Sequence, residues 1–193
     1  YFERVIRFNK TTNKLVLDKI KINNKSQLAK KTCKIFKLYN LKEGSIIEIE
    51  IDSEKYIKNI GKVLLKNNGI LIMIDYGNYY PSGYSTIQSV KKHKKTDFLD
   101  NPGNQDLSHM LDFSLFSRKF ASMNLKVYGP YTQKDFFTSL GIYQLKDKIL
   151  QNSSSTQKIE IENGLKRILG DNQMGKLFKV IIVSSQKLKN YEK

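Results

Sequence analysis

The sequence predicts an α/β fold, half of an open, doubly wound sheet with a β-hairpin in front of it. Three observations predict it. An amphipathic helical stripe (Tyr56, Ile57, Ile60, Val63, Leu64) runs into a glycine turn and then the continuous apolar run GILIMID at 69–75. A second apolar run, LFKVIIVS, closes the chain at 177–184. Between them helical and short strand patterns alternate, the rhythm of strands covered by helices. Three core strands are too few for a free-standing sheet of this kind, so the chain reads as part of one. The expected division is a hairpin and insertion over residues 1–44 and a domain half over 45–193.

The elements follow in order. Residues 3–8 (ERVIRF) and 14–20 (KLVLDKI) alternate around the polar turn NKTTN, a hairpin signal. Residues 26–38 are lysine-rich and read as an irregular or weakly helical link. SIIEIEI at 45–51 has the two-residue period of a strand. Asp52 and Ser53 are N-cap candidates for the helix that follows. ILIMID reads as a strand buried on both faces, because such strands lose the apolar–polar alternation. A long loop is expected over 78–105, with Pro81, Gly83, Pro102 and Gly103; loops of that length are often functional. Phe113, Leu115, Phe116, Phe120 and Met123 then form a helical stripe, 125–128 a short strand, and Thr132 through Asp135 a capping signal for a helix closed at Gly141. NSSST at 152–156 breaks the chain before a helix over about 157–169.

Composition narrows the partners. The formal net charge is +16, which points first to an anionic partner. Only Arg4, Arg7, Arg118 and Arg167 are arginines, however, and base readers depend on arginine's fork. Nucleic acid is therefore not the expected partner. KKHKK at 91–95 reads as a solvated loop before a phosphate patch. The single cysteine, Cys33, excludes an intrachain disulfide and a multi-cysteine zinc site. No apolar run reaches the ~20 residues of a membrane-spanning helix. Residues 1–20 lack the continuous apolar core of a signal peptide. The chain opens on Tyr1, so a break in a longer protein is expected there.

No glycine-rich dinucleotide or phosphate loop, nucleophile elbow or H-E-x-x-H occurs. One constellation remains. Asp75 ends a core strand, the edge at which open α/β sheets bind ligands; it reads equally as a turn residue. His93 lies in the expected loop. Asp106, His109 and Asp112 follow at its exit in NPGNQDLSHMLDF. On a helical turn both carboxylates would flank the ring. The plainer reading makes one Asp a helix cap and His109 a surface ring.

The ordered blocks YFERVI, ILIMIDYG, Thr86 and His93, PGNQDLSHMLDF, TQKDFFTSLGI and QMGKLFKVIIVSS resemble the MidA-like methyltransferases. These are class I, Rossmann-like, S-adenosylmethionine-dependent enzymes, among them a mitochondrial arginine methyltransferase needed for assembly of respiratory complex I. The family pattern is a strand ending in DYG, then PG-x-x-D-[LI]-[TS]-x-H-V-D-F, TQ-x-x-F-L-x-x-GI and MG-x-x-FKV. A departure is Glu48, followed here by Ile-Glu-Ile where the family usually has serine and proline.

The resemblance implies the C-terminal part of such a domain, with substrate-side insertions. S-adenosylmethionine would be held mostly by an N-terminal half lying upstream of Tyr1. The implied substrate is an arginine of a complex I subunit, the implied compartment the bacterial cytoplasm or mitochondrial matrix, and a separately encoded N-terminal half an implied partner. Alone the fragment is expected to be inactive. Asp106 and Asp112 are assigned to grip the guanidinium, His109 to acid–base or orienting work, and Asp75, Tyr76, Gly77 and His93 to line the substrate crevice. The rival readings are a non-catalytic binding module or assembly factor, and a basic nucleic-acid binder.

Overall fold

The computed structural model describes residues 1–186. It divides into two units: Tyr1–Ile49 with Pro81–Met110, and Glu50–Tyr80 with the chain from Leu111 onward.

In the first unit, β1 (Phe2–Asn9) and β2 (Lys14–Lys21) form an antiparallel hairpin. Its turn is set by Asn9, whose Oδ1 accepts from the backbone N–H groups of Thr11 and Thr12, with Asn13 in the left-handed region. The link expected after it is instead a helix, α1 (Gln27–Leu38), capped by Ser26 Oγ on Ala29 N–H at 3.1 Å. Its lysines hide an apolar side on which Ala29 and Ile35 are buried. SIIEIEI does not form a strand; it makes one bridge, Ile46 to Gly83. The expected long loop carries a small antiparallel sheet: β4 (Gln88–Lys91), β5 (Lys94–Thr96) and β6 (Asp106–Ser108), in the order β5-β4-β6. Side chains hold it. The buried Ser89 hydroxyl bonds to the Thr96 carbonyl at 2.7 Å, and the Thr96 hydroxyl donates to Gln105 Oε1 at 2.8 Å.

The second unit is the sheet the sequence predicts. α2 (Ser53–Asn67) ends on Asn68 in the left-handed conformation and turns into β3 (Ile70–Asn78). β7 (Leu111–Asp112) leads into α3 (Phe113–Ala121), followed by β8 (Lys126–Thr132). α4 (Gln133–Ser139) is capped by Thr132, and Gly141 separates it from α5 (Ile142–Gln151). α6 (Ser155–Leu169) starts in a Ser154–Gln157 capping box; a one-turn α7 (Met174–Leu177) then enters β9 (Phe178–Ser184). The strand order is β7-β3-β9-β8. β9 runs antiparallel to both neighbours, and β7 is parallel to β3.

Two cores lie on the two faces of β9. Ile181 and Val183 pack with Ile57 and Leu64 of α2, Phe113, Phe116 and Phe120 of α3, and Leu125, joined by Leu71 and Met73 of β3. Val180 and Ile182 pack with Phe136 of α4, Tyr128 and Tyr131. Buried Gln133 donates from Nε2 to the Ile168 carbonyl at 2.9 Å, tying α4 to the end of α6. β3 departs from expectation: Leu71 and Met73 are half-buried, but Ile70, Ile72 and Ile74 are exposed.

Candidate functional site

The segment carrying His109 is fixed by Glu48, which the sequence marks only as the point of departure from the family pattern. Glu48 Oε1 accepts from the Thr86 N–H at 2.8 Å and the Ser85 hydroxyl at 3.1 Å, and its Oε2 accepts a short bond from the Thr86 hydroxyl. The same Thr86 Oγ1 accepts from the Met110 N–H at 2.8 Å. Glu48, Ser85–Thr86 and Met110, remote in sequence, are thereby joined within the first unit. Thr86 is buried, so its hydroxyl and amide must find partners inside the protein, and Glu48 supplies them. In the sequence Thr86 and Glu48 each stand in the family resemblance, but 38 residues apart, and nothing local pairs them.

The predicted site residues are distributed over both units. In the first, Asp106 lies exposed on β6 opposite Val90 of β4. His109 is half-buried after that strand, with Nδ1 3.2 Å from the Met110 carbonyl. His93 is exposed in the β4–β5 turn; it and Lys92 have φ of 62° and 49°, as a tight two-residue hairpin requires. In the second, Asp75 is exposed on β3, its Oδ1 accepting from the Tyr76 N–H at 2.7 Å. Tyr76 packs its ring against Phe178 at 6.0 Å. Gly77 is enclosed: a Cβ there would stand 2.5 Å from the Leu111 carbonyl oxygen and 2.8 Å from the Phe113 ring. Asp112 is the N-cap of α3, its Oδ1 accepting from the Leu115 N–H at 3.0 Å and the Ser114 hydroxyl at 2.8 Å.

The helical turn that would have set both carboxylates beside His109 does not form, and Asp112 caps a helix, as the plainer reading had one Asp do. Asp106–Ser108 and Leu111–Asp112 are strands, so Asp106 and Asp112 do not flank His109 on one helix face. The competing signal was local: proline and glycine at 102–103 announce a loop, and only pairing with β4 shows that a strand follows it. A second point concerns register. Counted back from Asp112 and Phe113, the family's histidine position falls on Met110, and His109 stands one place earlier.

The cofactor implied by the resemblance needs an open glycine turn beyond a strand. The sheet glycines here do not offer one. Gly77 is filled as described, and a Cβ on Gly129 would stand 2.6 Å from the Val180 carbonyl oxygen. The described residues therefore do not fit a complete S-adenosylmethionine seat. Among them no helix is long and apolar enough to cross a membrane, and no cluster of acidic, histidine or cysteine side chains could hold a metal ion.

A family model described as "Putative S-adenosyl-L-methionine-dependent methyltransferase" matches residues 1–131. The chain belongs to that family. Among curated relatives, the mitochondrial protein arginine methyltransferase NDUFAF7 of Xenopus tropicalis is 28% identical over 142 residues, covering 72% of this chain and 32% of that protein. The Caenorhabditis elegans homologue is 30% identical over 112 residues, 58% of this chain and 26% of its own. Two crystal structures of COG1565 superfamily proteins from Burkholderia thailandensis share the fold over all of this chain. Their TM-scores are 0.78 and 0.77 at 21% and 20% identity, and the second is bound to S-adenosyl-homocysteine. This family member thus spans about a third of the length of that Xenopus relative and about half of those structures. The shared fold bears out the expected part of a methyltransferase sheet with a hairpin and insertions.

Proposed function

We propose that this methyltransferase-family chain supplies the substrate side of an S-adenosylmethionine-dependent protein arginine methyltransferase. The observation that carries the reading is the family match over 1–131, joined to curated relatives named as arginine methyltransferases. S-adenosylmethionine, seated mainly outside the described residues, would supply the methyl group. On the resemblance, the proposed substrate is an arginine of a respiratory complex I subunit. The proposed compartment is the mitochondrial matrix, the relatives being named mitochondrial, or the bacterial cytoplasm.

The chain's own contribution is to hold and deprotonate. A guanidinium is cationic and its lone pairs are delocalised, so the nitrogen must be oriented and must lose a proton. We assign proton acceptance to the His109 imidazole, which the Glu48–Thr86–Met110 bonds place on a fixed backbone. Because Asp112 is committed to capping α3, the gripping carboxylate proposed is that of exposed Asp106. His93 stays with the proposal as a substrate-contacting residue of the first unit, and Asp75 and Tyr76 as proposed contacts on the second, where Gly77 packs against Leu111 and Phe113.

The test reconstitutes the chain with the complementary half of the domain and follows arginine methylation of a complex I subunit by mass spectrometry. His109→Gln should lower kcat by about 100-fold or more, within the usual range for losing a general base, and leave S-adenosylmethionine affinity unchanged. Unchanged turnover would remove His109 from the reaction. A second reading, a non-catalytic docking module of the same family, is favoured by the resemblance: in the family pattern given above a histidine stands where this chain has Met110. Cofactor binding by the reconstituted domain without any methylation would select it.

A further inference from the structure

β3 and β9 are written alike and used differently. Both are apolar at successive positions, ILIMI at 70–74 and VIIV at 180–183. β9 is covered on both faces, with all four of those residues at most 2% exposed. β3 is covered on one. Leu71 and Met73 enter the first core, while Ile70, Ile72 and Ile74 are 55%, 53% and 37% exposed. Ile72 pairs across the strands with Ile182, and Ile74 with Val180. Opposed residues share a face, so the cover that buries β9 on that face stops at β3.

The edge of β3 is open as well. It pairs with β9 from Ile70 to Tyr76, and with β7 only at Gly77 and Asn78. Among the described residues, no strand lies on the other side of 70–75, a run of about 20 Å at ~3.3 Å per residue. Exposed edges in stable proteins carry lysine, proline or inward charge against stray pairing. In a chain with 34 lysines and arginines, none falls in 70–75, and the one charge there, Asp75, stands at its end. This strand has the composition of an interior one.

We propose that the open edge and bare face of β3 form an assembly surface whose occupant is the complementary half of the methyltransferase domain. That half would lay a strand along Ile70–Asp75 and an apolar element over Ile70, Ile72 and Ile74. The occupant's identity rests on the function proposed above. The chain fills only 50% and 48% of the two structures sharing its fold, which leaves a comparable length of polypeptide to cover a sheet. The +16 net charge makes an acidic complement the matching one.

The experiment uses the polypeptide of the same source that matches the half of the Burkholderia thailandensis structures left uncovered by this chain, produced separately. Binding of the two is measured by calorimetry, with Ile72→Lys and Ile74→Lys singly and together. Both side chains are exposed in this chain, so its melting temperature should not move; lysine also adds positive charge, so an electrostatic loss is not introduced. The double variant should bind at least about 100-fold more weakly, and Leu145→Lys on exposed α5 should bind as the wild type does. Undiminished binding by the double variant overturns the surface. A homodimer lost in the double variant, with no affinity for the complement, overturns the occupant in favour of a second copy. Assembly through β3 without S-adenosylmethionine binding sinks the methyltransferase reading alone; methylation indifferent to the double substitution sinks this surface alone.

Discussion

Glu48→Ala is the substitution with the widest consequence for the candidate site. It removes the acceptor for three donors: Ser85 Oγ, Thr86 N and Thr86 Oγ1. Bonds to a charged acceptor contribute roughly 1.5–3 kcal/mol each. Half-buried Ser85 can rehydrate, whereas Thr86 is 6% exposed and its two donors cannot readily do so. The expected loss is therefore about 3 kcal/mol, dominated by Thr86, or roughly a 100-fold rise in local opening. Thr86→Val keeps the backbone bond to Glu48 but abolishes the hydroxyl's bonds to Glu48 and from Met110; about 2 kcal/mol is expected. The two effects should be less than additive, since they share a bond. The direct readout is amide hydrogen exchange at Met110, whose N–H donates to Thr86 Oγ1. Both variants should speed it, alongside a lowered urea midpoint. If Met110 exchange and the midpoint stay at wild-type values in Glu48→Ala, the clamp does not hold the His109 segment.

Gly77→Ala should destabilise the second unit by about 3 kcal/mol, the upper end for overpacking, because the new methyl meets a backbone carbonyl and the fully buried Phe113 ring. A thermal melt unchanged by that substitution would refute the β3–β7 packing. Alkaline stability should reflect two opposed groups. Burial, with Asp135 nearby, raises the Tyr79 phenol above its ordinary value of about 10, and burial lowers the Lys179 ammonium, which lies 5.2 Å from the Tyr79 ring centroid. The tyrosine's contribution is present below about pH 10 and is lost as pH rises through its raised folded value. The lysine binds fewer protons folded than unfolded between its lowered value and about 10.4, so stability rises with pH there. Tyr79→Phe should therefore lose less stability above pH ~10 than the wild type in urea unfolding followed against pH; an equal or steeper loss would contradict the tyrosine's part.

What the sequence made legible follows from where its signals were local. The hairpin announced itself by alternation around an asparagine turn, α2 and α3 by their stripes, and α4 by Thr132, whose hydroxyl accepts from the Asp135 N–H at 3.0 Å. The β4–β5–β6 sheet gave no such signal. Its strands KKT and DLS are too short and polar to show a period, and side-chain bonds from Ser89 and Thr96 support them. α1 was obscured by lysines on its solvent side. At the site, the family blocks pointed to the 106–112 segment, but strand pairing rather than helix spacing decides what lies beside His109. Glu48 stood in the family resemblance, but its role was hidden, because its run alternates like a strand and its partner is fixed only by the fold.

The error over β3 carries more information than the successes. A continuous apolar strand predicts cover on both faces because each uncovered isoleucine forgoes roughly 1.5–3 kcal/mol of burial. β9 obeys the rule: Val180 through Val183 are enclosed on either side. β3 has the same composition, lies beside β9 in register from Ile70 to Tyr76, and has one face bare. Local sequence is shaped by the environment in which a strand functions, and nothing in the backbone of β3 distinguishes it from a buried neighbour. The mismatch is best explained by an environment larger than the described residues, and the relatives, two to three times longer than the matched segment, have the polypeptide to provide it. Were Ile72→Lys and Ile74→Lys neutral for assembly with that polypeptide, the apolar face of β3 would need some other cause.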